Sequence, residues 1–317
     1  MNDRSGPMGV PMTKPEDDVR MLTERVSARY VDLDSWPIKD MLAAMYEGQL
    51  AAVAAVRPVL SDIAAAVEDA MRVLGQSGRL VYVGAGTSGR IGVQDGTELP
   101  PTFDWPAERL LFLMAGGFDA LVHSVEGAED NEEDGARAIA AAKVGADDVV
   151  IGVAASGTTP YTIGALRSAR AAGAVTIAIA SNPGAPLLAV AKHPILVKTG
   201  AEAIAGSTRM KAGTAQKIVL NLFSTALMVQ LGRVYRGLMV HMRATNAKLR
   251  RRAEAIVREI VGCSDTEAAR CVEQADGDLK LAVLLGFGAD LAIAAAALSR
   301  HHGNLRLAIA EIAPRHG

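Results

Sequence analysis

Leu80-Val81-Tyr82-Val83-Gly84-Ala85-Gly86-Thr87-Ser88-Gly89-Arg90 is the stretch on which the fold turns. An apolar run enters a glycine-rich turn that opens a helix, which is how a parallel α/β unit begins. Further downstream, Leu110 to Met114, Val149 to Ala154, Val175 to Ala180 and Ile195 to Lys198 are nearly continuous apolar runs, the pattern of parallel strands covered on both faces. Helices expected near 131–142 and 160–172 separate them, with Gly173 placed as a C-cap. Upstream, Ile38, Met41, Leu42 and Met45, then Val59, Leu60, Ile63, Val67 and Met71, recur at helical spacing, broken by Pro58 and ended by Gly75 and Gly78. The chain therefore reads as a doubly wound parallel sheet preceded by N-terminal helices. Past residue 210 strand signals stop, and short helices are expected near 265–273, 278–286, 288–299 and 304–312. The expected organisation is an N-terminal extension over 1–36, an α/β domain over 37–250 and a small helical domain over 251–317.

Composition narrows the function classes. With 50% hydrophobic and 21% charged residues the chain is an ordinary globular one, and only 4% aromatic residues disfavour an aromatic-lined β-sandwich. A formal net charge of −2 and no long basic tract leave no electrostatic footprint for nucleic acid. Cys263 and Cys271 form neither a disulfide framework nor a metal cluster, so a reducing compartment is the simplest expectation. Residues 1–20 lack the apolar core of a signal peptide, and the longest apolar runs fall short of a bilayer. The expectation is a cytoplasmic protein with no membrane partner.

The Gly84 to Gly89 turn satisfies the letter of the dinucleotide fingerprint. However, the second strand ends in Met114-Ala115-Gly116-Gly117 where a ribose-binding acid belongs, and Arg90-Ile91 replace the Lys and Ser/Thr of a phosphate-binding P-loop. What remains is a hydroxyl-bearing turn whose N–H groups, with Thr87 and Ser88, suit an anion at a helix N-terminus; the alternative is that both merely cap the helix. A second loop, Ala155-Ser156-Gly157-Thr158-Thr159-Pro160, repeats the chemistry after the third strand. If the two loops flank a topological switch point, they line one crevice, and a ligand made of phosphate and hydroxyls, a sugar phosphate, fits both. Acid–base candidates lie in Gln94 to Thr102, where Glu98 precedes Pro100-Pro101, and in Glu126 to Asp134, which also suits a solvated helix start. Gly206-Ser207-Thr208-Arg209-Met210-Lys211 adds hydroxyls and cations at the start of a long helix. Six histidines show no metal spacing, and neither metal nor cofactor is expected.

Five motifs in order, G-A-G-T-S-G-R at 84–90, E-L-P-P-T at 98–102, V-E-G-A-E-D at 125–130, A-A-S-G-T-T-P-Y at 154–161 and S-T-R-M-K-A-G-T-A-Q-K at 207–217, resemble those of the N-acetylmuramic acid 6-phosphate etherases. The resemblance runs from Thr23 to near residue 310. It implies a flavodoxin-like sugar isomerase (SIS) domain, a C-terminal helical domain similar to ubiquitin-associated modules, and a homodimer. It also implies release of D-lactate from C3 of the sugar phosphate by elimination, followed by hydration. Carried over by position, Glu98 matches the proton donor and Glu129 the second carboxylate, assigned as base. Ser156, Gly157, Thr158 and Thr159 are expected at the phosphate, Thr87 and Ser88 near the sugar, and Ser207 and Lys211 among the binding residues. Where the family reads Asp-Ala-Ser-Glu-Cys, this chain has Asp95-Gly96-Thr97-Glu98-Leu99. Competing readings are an aldose–ketose isomerase and a non-catalytic sugar-phosphate regulator.

Overall fold

The computed structural model describes residues 21–244 and 246–313. The expected N-terminal extension therefore lies outside the described residues up to position 20, as do the last four positions of the helical domain. Two helices, α1 (Ile38–Ala54) and α2 (Leu60–Leu74), lead into β1 (Leu80–Gly84), α3 (Gly86–Thr97), the short α4 (Leu99–Phe103) and β2 (Leu110–Met114). Then follow α5 (Glu132–Ala141), β3 (Val149–Val153), α6 (Pro160–Ala171), β4 (Val175–Ala180), α7 (Pro186–Val190), β5 (His193–Leu196) and the long α8 (Lys211–Gln230).

All five strands run parallel in the order β2-β1-β3-β4-β5. Strand faces alternate: Leu80, Tyr82, Ile151 and Ile177 pack toward α2 and α8, while Val81, Val83, Val150 and Ala178 pack toward α5, α6 and α7. With both faces covered, continuous apolar runs are what the strands require. β5 starts at His193 rather than Ile195, because Asp69 of α2 draws Lys192 and His193 onto it, each 2.7 Å from Oδ2.

After α8 a two-stranded ribbon, β6 (Val234–Tyr235) and β7 (Leu238–Met239), turns through Arg236 and Gly237, both at positive φ. Strand signals were not expected past 210; each strand is too short to carry an alternation. Five helices follow: α9 (Ala247–Val261), α10 (Asp265–Gln274), α11 (Leu279–Gly286), α12 (Leu291–Arg300) and α13 (Leu305–Ile312). They share a separate apolar core that begins at Tyr235 and runs to Ala308.

The stretch Ile38–Leu74 is long and apolar enough by length and composition to cross a membrane, contrary to the expectation that no run is. Here a 3-10 turn at Arg57–Val59 divides it into two helices, and α2 buries Ile63, Ala66, Val67, Ala70 and Leu74 in the main core. In the α2 half the apolar residues are thus core contacts. α1 behaves differently: Ile38, Leu42, Tyr46, Leu50 and Val53 all stay exposed.

Gly96 answers to its neighbours. A Cβ there would meet the Phe112 ring at 2.5 Å and the Tyr82 ring at 2.9 Å, and those rings stack with centroids 5.8 Å apart. An alanine does not fit beside them. Gly96→Ala should lower unfolding stability by about 1–3 kcal/mol despite its helix propensity; an increased urea midpoint would mean that the rings yield.

Lys192's ammonium, donating to Asp69, holds that carboxyl down at about 2, with His193 acting the same way against the cost of burial. A depressed carboxylate stabilises above its unfolded value of about 4 and loses that contribution as pH falls toward its folded value. Asp69→Asn should therefore flatten the loss of stability between about pH 4 and 2, read from urea midpoints. An acid limb as steep as the parent's would refute this.

Candidate active site

β1 pairs with β2 on one side and β3 on the other, so the chain reverses its direction of progress between β1 and β3. The loops leaving these two strands, 84–88 and 154–159, therefore border one crevice at the carboxyl edge of the sheet. At the first loop a Cβ on Gly84 would lie 2.9 Å from Gly89 and 3.0 Å from the Val153 carbonyl. Two bare glycines thus let α3 rest directly on the sheet. Its N-cap, Ala85, makes no side-chain cap bond, and Thr87 and Ser88 sit inside the helix rather than capping it. The first-turn N–H groups of α3 consequently face the crevice without a side-chain acceptor.

Thr87 lines a 210 Å³ cavity with Gly86, Arg90, His123, Ser124 and Glu129. Arg90 is engaged as a brace, donating to the carbonyls of Ala120 at 2.9 Å and His123 at 3.3 Å. Ser88 is buried, and its hydroxyl donates to Gln216 Oε1 of α8 at 3.1 Å. Its contact is with the helix behind the loop rather than with the cavity. Glu129 is exposed, and its carbonyl accepts the Tyr161 N–H at 3.0 Å, which docks the 126–130 segment on the start of α6. The acidic run beyond it divides in two. Asn131 caps α5 through Glu133 and Asp134, and Glu132 pairs with Arg167, so residues 132–134 form an ordinary acidic first turn.

In the second loop Ser156 Oγ accepts from the Thr158 N–H at 3.2 Å and the Thr158 hydroxyl at 3.1 Å. Gly157 has φ +72°, and a Cβ on it would lie 2.4 Å from that of Ala185, so only glycine fits. Thr159 is the N-cap of α6 without a side-chain cap bond, and Pro160 follows in the first turn. Hydroxyls and main-chain donors again crowd a helix start.

The third segment is organised by Glu202, which sequence reasoning did not single out. Fully buried, it accepts the N–H groups of Lys211 at 3.0 Å and Ala212 at 2.9 Å, occupying the start of α8 with a carboxylate. That explains cations at a helix N-terminus: Lys211 lies beside Glu202 and donates through Nζ to the Thr199 carbonyl at 2.9 Å. Burial lowers the Lys211 ammonium's pKa, with Glu202 opposing. Ser207 is half-buried in the loop just before, while Arg209 is exposed.

Asn182 was also missed. Asn182 Nδ2 donates to the Ser156 carbonyl at 3.1 Å and the Thr23 hydroxyl at 3.0 Å, while its Oδ1 accepts the Thr23 N–H at 3.2 Å. Thr23 O in turn accepts the Gly206 N–H at 2.9 Å. One amide thus ties the second loop, the third segment and the N-terminal segment together. Its signal in the sequence was the Ser181-Asn182-Pro183-Gly184 turn directly after a strand.

Glu98 lies elsewhere. It closes the far end of α3 and is exposed; from Thr87 the helix rise alone puts it about 16 Å away. Asp95, one turn earlier, is buried and accepts from Tyr82 at 3.0 Å, Asn221 at 2.6 Å and Ser224 at 3.3 Å. Burial raises its pKa against those bonds, and it serves to fasten α3 to α8. The structure brings Thr87, Glu129 and the second loop to one edge, and leaves Glu98 at the opposite edge of the same protomer. Among the described residues, no group of three or more His, Cys, Asp or Glu is placed to hold a metal.

The sheet order is that of a doubly wound, flavodoxin-like domain. The SIS domain profile matches residues 128–226, and that of the glucokinase regulatory protein N-terminal SIS domain matches 62–170. An N-acetylmuramic acid 6-phosphate etherase of Deinococcus radiodurans is 53% identical over 270 residues, 84% of this chain and 88% of that protein. Another, from Actinobacillus succinogenes, is 43% identical over 293 residues, 92% and 96% respectively. The chain belongs to the N-acetylmuramic acid 6-phosphate etherase family. Among solved structures, a phosphoheptose isomerase of Francisella tularensis is 15% identical with a TM-score of 0.44, covering 62% of this chain and 100% of that one.

Asn182→Ala should cost about 1–3 kcal/mol in urea unfolding, because the buried Thr23 N–H and the Ser156 carbonyl lose their partner. An unchanged midpoint would show that the tie is dispensable.

Proposed function

We propose that this chain cleaves the C3 lactyl ether of N-acetylmuramic acid 6-phosphate with Glu129 and Glu98 as its two proton-transfer groups. In the open-chain aldehyde the ether is β to the carbonyl, so the C2 proton is acidified. Glu129 removes that proton, Glu98 protonates the departing lactate oxygen, and water then adds to the unsaturated aldehyde, giving N-acetylglucosamine 6-phosphate and D-lactate. The observation that carries this reading is the cavity that Glu129 shares with Thr87 at the start of α3, while the Glu129 carbonyl holds the start of α6. The phosphate is assigned to Ser156, Gly157, Thr158 and Thr159, and the sugar to the side of Thr87. Ser88 and Lys211 act from behind, through Gln216 and the Glu202 cap, and Ser207 is assigned to the same third segment. The helical unit is assigned to the chain from residue 251, with its core reaching back to Tyr235.

With Glu98 about 16 Å from Thr87, the reading requires a second copy. We assign the enzyme as a homodimer in which each crevice joins Glu129 of one protomer to Glu98 of its partner. The exposed apolar face of α1, with Ile38, Leu42, Tyr46, Leu50 and Val53, supports pairing of copies. Two free cysteines, Cys271 buried, fit a cytoplasmic enzyme. The regulator reading is favoured by the match to the glucokinase regulatory protein domain, and binding of the substrate without lactate release would establish it.

Glu98→Ala should release D-lactate about 10²–10⁴ times more slowly while still exchanging the C2 proton with solvent, whereas Glu129→Ala should lose both. Equal loss of exchange would sink the division of roles. A purified mixed dimer of the two variants should recover about half of the parent activity, since one of its two crevices then holds both carboxylates. No recovery would place both groups in one protomer.

A further inference from the structure

A second cavity, of 540 Å³, opens between the main core and the helical unit, lined by Trp105, Arg109, Arg233, His241, Lys280 and His302 among others. It lies at the amino edge of the sheet: Arg109 directly precedes β2, and Gly75, also in its wall, follows α2. A five-residue strand separates that edge from the crevice, roughly 16 Å away. This space is therefore distinct from the substrate crevice of the same protomer.

Its charged lining is entirely cationic. The Arg109 and Arg233 guanidinium groups lie 4.2 and 4.8 Å from the ring of Trp105, itself 2% exposed. Arg109 is anchored by the carbonyls of Gly78 at 2.7 Å and Leu74 at 2.9 Å, and Arg233 through Nη1 by those of Phe103 and Asp104, both at 2.7 Å. Arg233 Nε and Nη2 and Arg109 Nη1 have no hydrogen-bond partner among the described residues. Lys280, 5% exposed, donates to the Gly303 carbonyl. The nearby carboxylates lie outside the lining: Asp104 is 3.7 Å from His241, Glu108 faces Arg109, and Asp278 caps α11 through the Leu281 N–H. His241 Nδ1 is buried with no hydrogen-bond partner among the described residues.

Burial and mutual repulsion show in the proton affinities. Burial, then Arg109, lowers Arg233 to about 10; burial, then Arg233, lowers Lys280 to about 8; and burial, then Lys280 and Arg233, lowers His241 to about 3. Half-buried and buried cations gathered on one cavity, with donors left over, are complementary to an oxyanion.

We propose that this cavity binds a small phosphate-bearing anion, inorganic phosphate or a phosphomonoester, between Arg109 and Arg233 of the core and Lys280 of the helical unit. Bidentate donation from guanidinium groups suits phosphate. The volume admits a phosphorylated sugar as well as the free ion. Occupation neutralises the repulsion and clamps the helical unit to the core, so ligand and unit stabilise each other.

The test is a calorimetric titration of the full chain with inorganic phosphate and, separately, with N-acetylglucosamine 6-phosphate, at constant ionic strength. Parent protein should show two classes of phosphate site. Ser156→Ala combined with Thr158→Ala should weaken one class, and Lys280→Met or Arg233→Met the other, by about tenfold or more. Lactate release by Lys280→Met should stay within about twofold of the parent at saturating substrate. Met keeps the apolar stem, and removing a desolvated charge should leave the urea midpoint unchanged or higher. The phosphate arm alone showing two classes identifies the free ion as ligand; two classes in both arms identify the phosphomonoester. A single class lost in the crevice variant, or both classes surviving in Lys280→Met and Arg233→Met, overturns the proposal.

Discussion

Contact between two glycines sets the geometry on which the catalytic half of this molecule depends. With no side chain on Gly84 or Gly89, the first turn of α3 settles against the end of β1 within reach of the Val153 carbonyl on β3. Any Cβ there would push the helix start away from the switch point. Because the approach is backbone to backbone, the first-turn N–H groups of α3 arrive at the crevice with no side chain in front of them. Gly157, at positive φ, sets the second loop in the same way. The glycine spacing that mimics a dinucleotide fingerprint is thus a packing solution shared by any ligand that needs a bare helix start beside a parallel sheet.

Around that start, polar groups are arranged so that rigidity comes from residues that do not face the ligand. Ser88 to Gln216 and Asp95 to Asn221 and Ser224 join α3 to α8, Glu202 closes α8, and Asn182 joins Ser156 to Thr23. Each bond is buried or nearly so, where an unmet partner is expensive. The hydroxyls of Thr87, Ser156 and Thr158 can then remain near solvent without the loops losing their shape.

How much of this was legible in the sequence follows from the range of the interactions. The five strands were legible, the fifth two residues out of place, because covering both faces forces continuous apolar runs, a purely local signature. The ribbon of β6 and β7 was not legible, since two-residue strands carry no period; only Arg236-Gly237 marked the turn. The hydroxyl loops could be read as a pair because each follows a strand, and the strand order then joined them. Ser88 and Thr87 are indistinguishable in sequence yet face opposite ways, a difference set by α8 more than a hundred residues later. Glu202 and Asn182 carry no local pattern beyond a turn. The position of Glu98, by contrast, was readable: eleven residues of uninterrupted helix separate it from Thr87, and helix rise alone converts that to distance.

That distance constrains what α3 can be. A helix that presents its bare start to a phosphosugar crevice and its closing carboxylate to the other edge of the sheet cannot serve one site with both ends. In the proposed dimer it serves two, giving donors to its own crevice and Glu98 to its partner's. Pro100 and Pro101 in the first turn of α4 fix the chain direction directly after Glu98. Under this arrangement dimerisation is a condition of the chemistry, and the apolar face of α1 is tied to catalysis as firmly as the crevice itself.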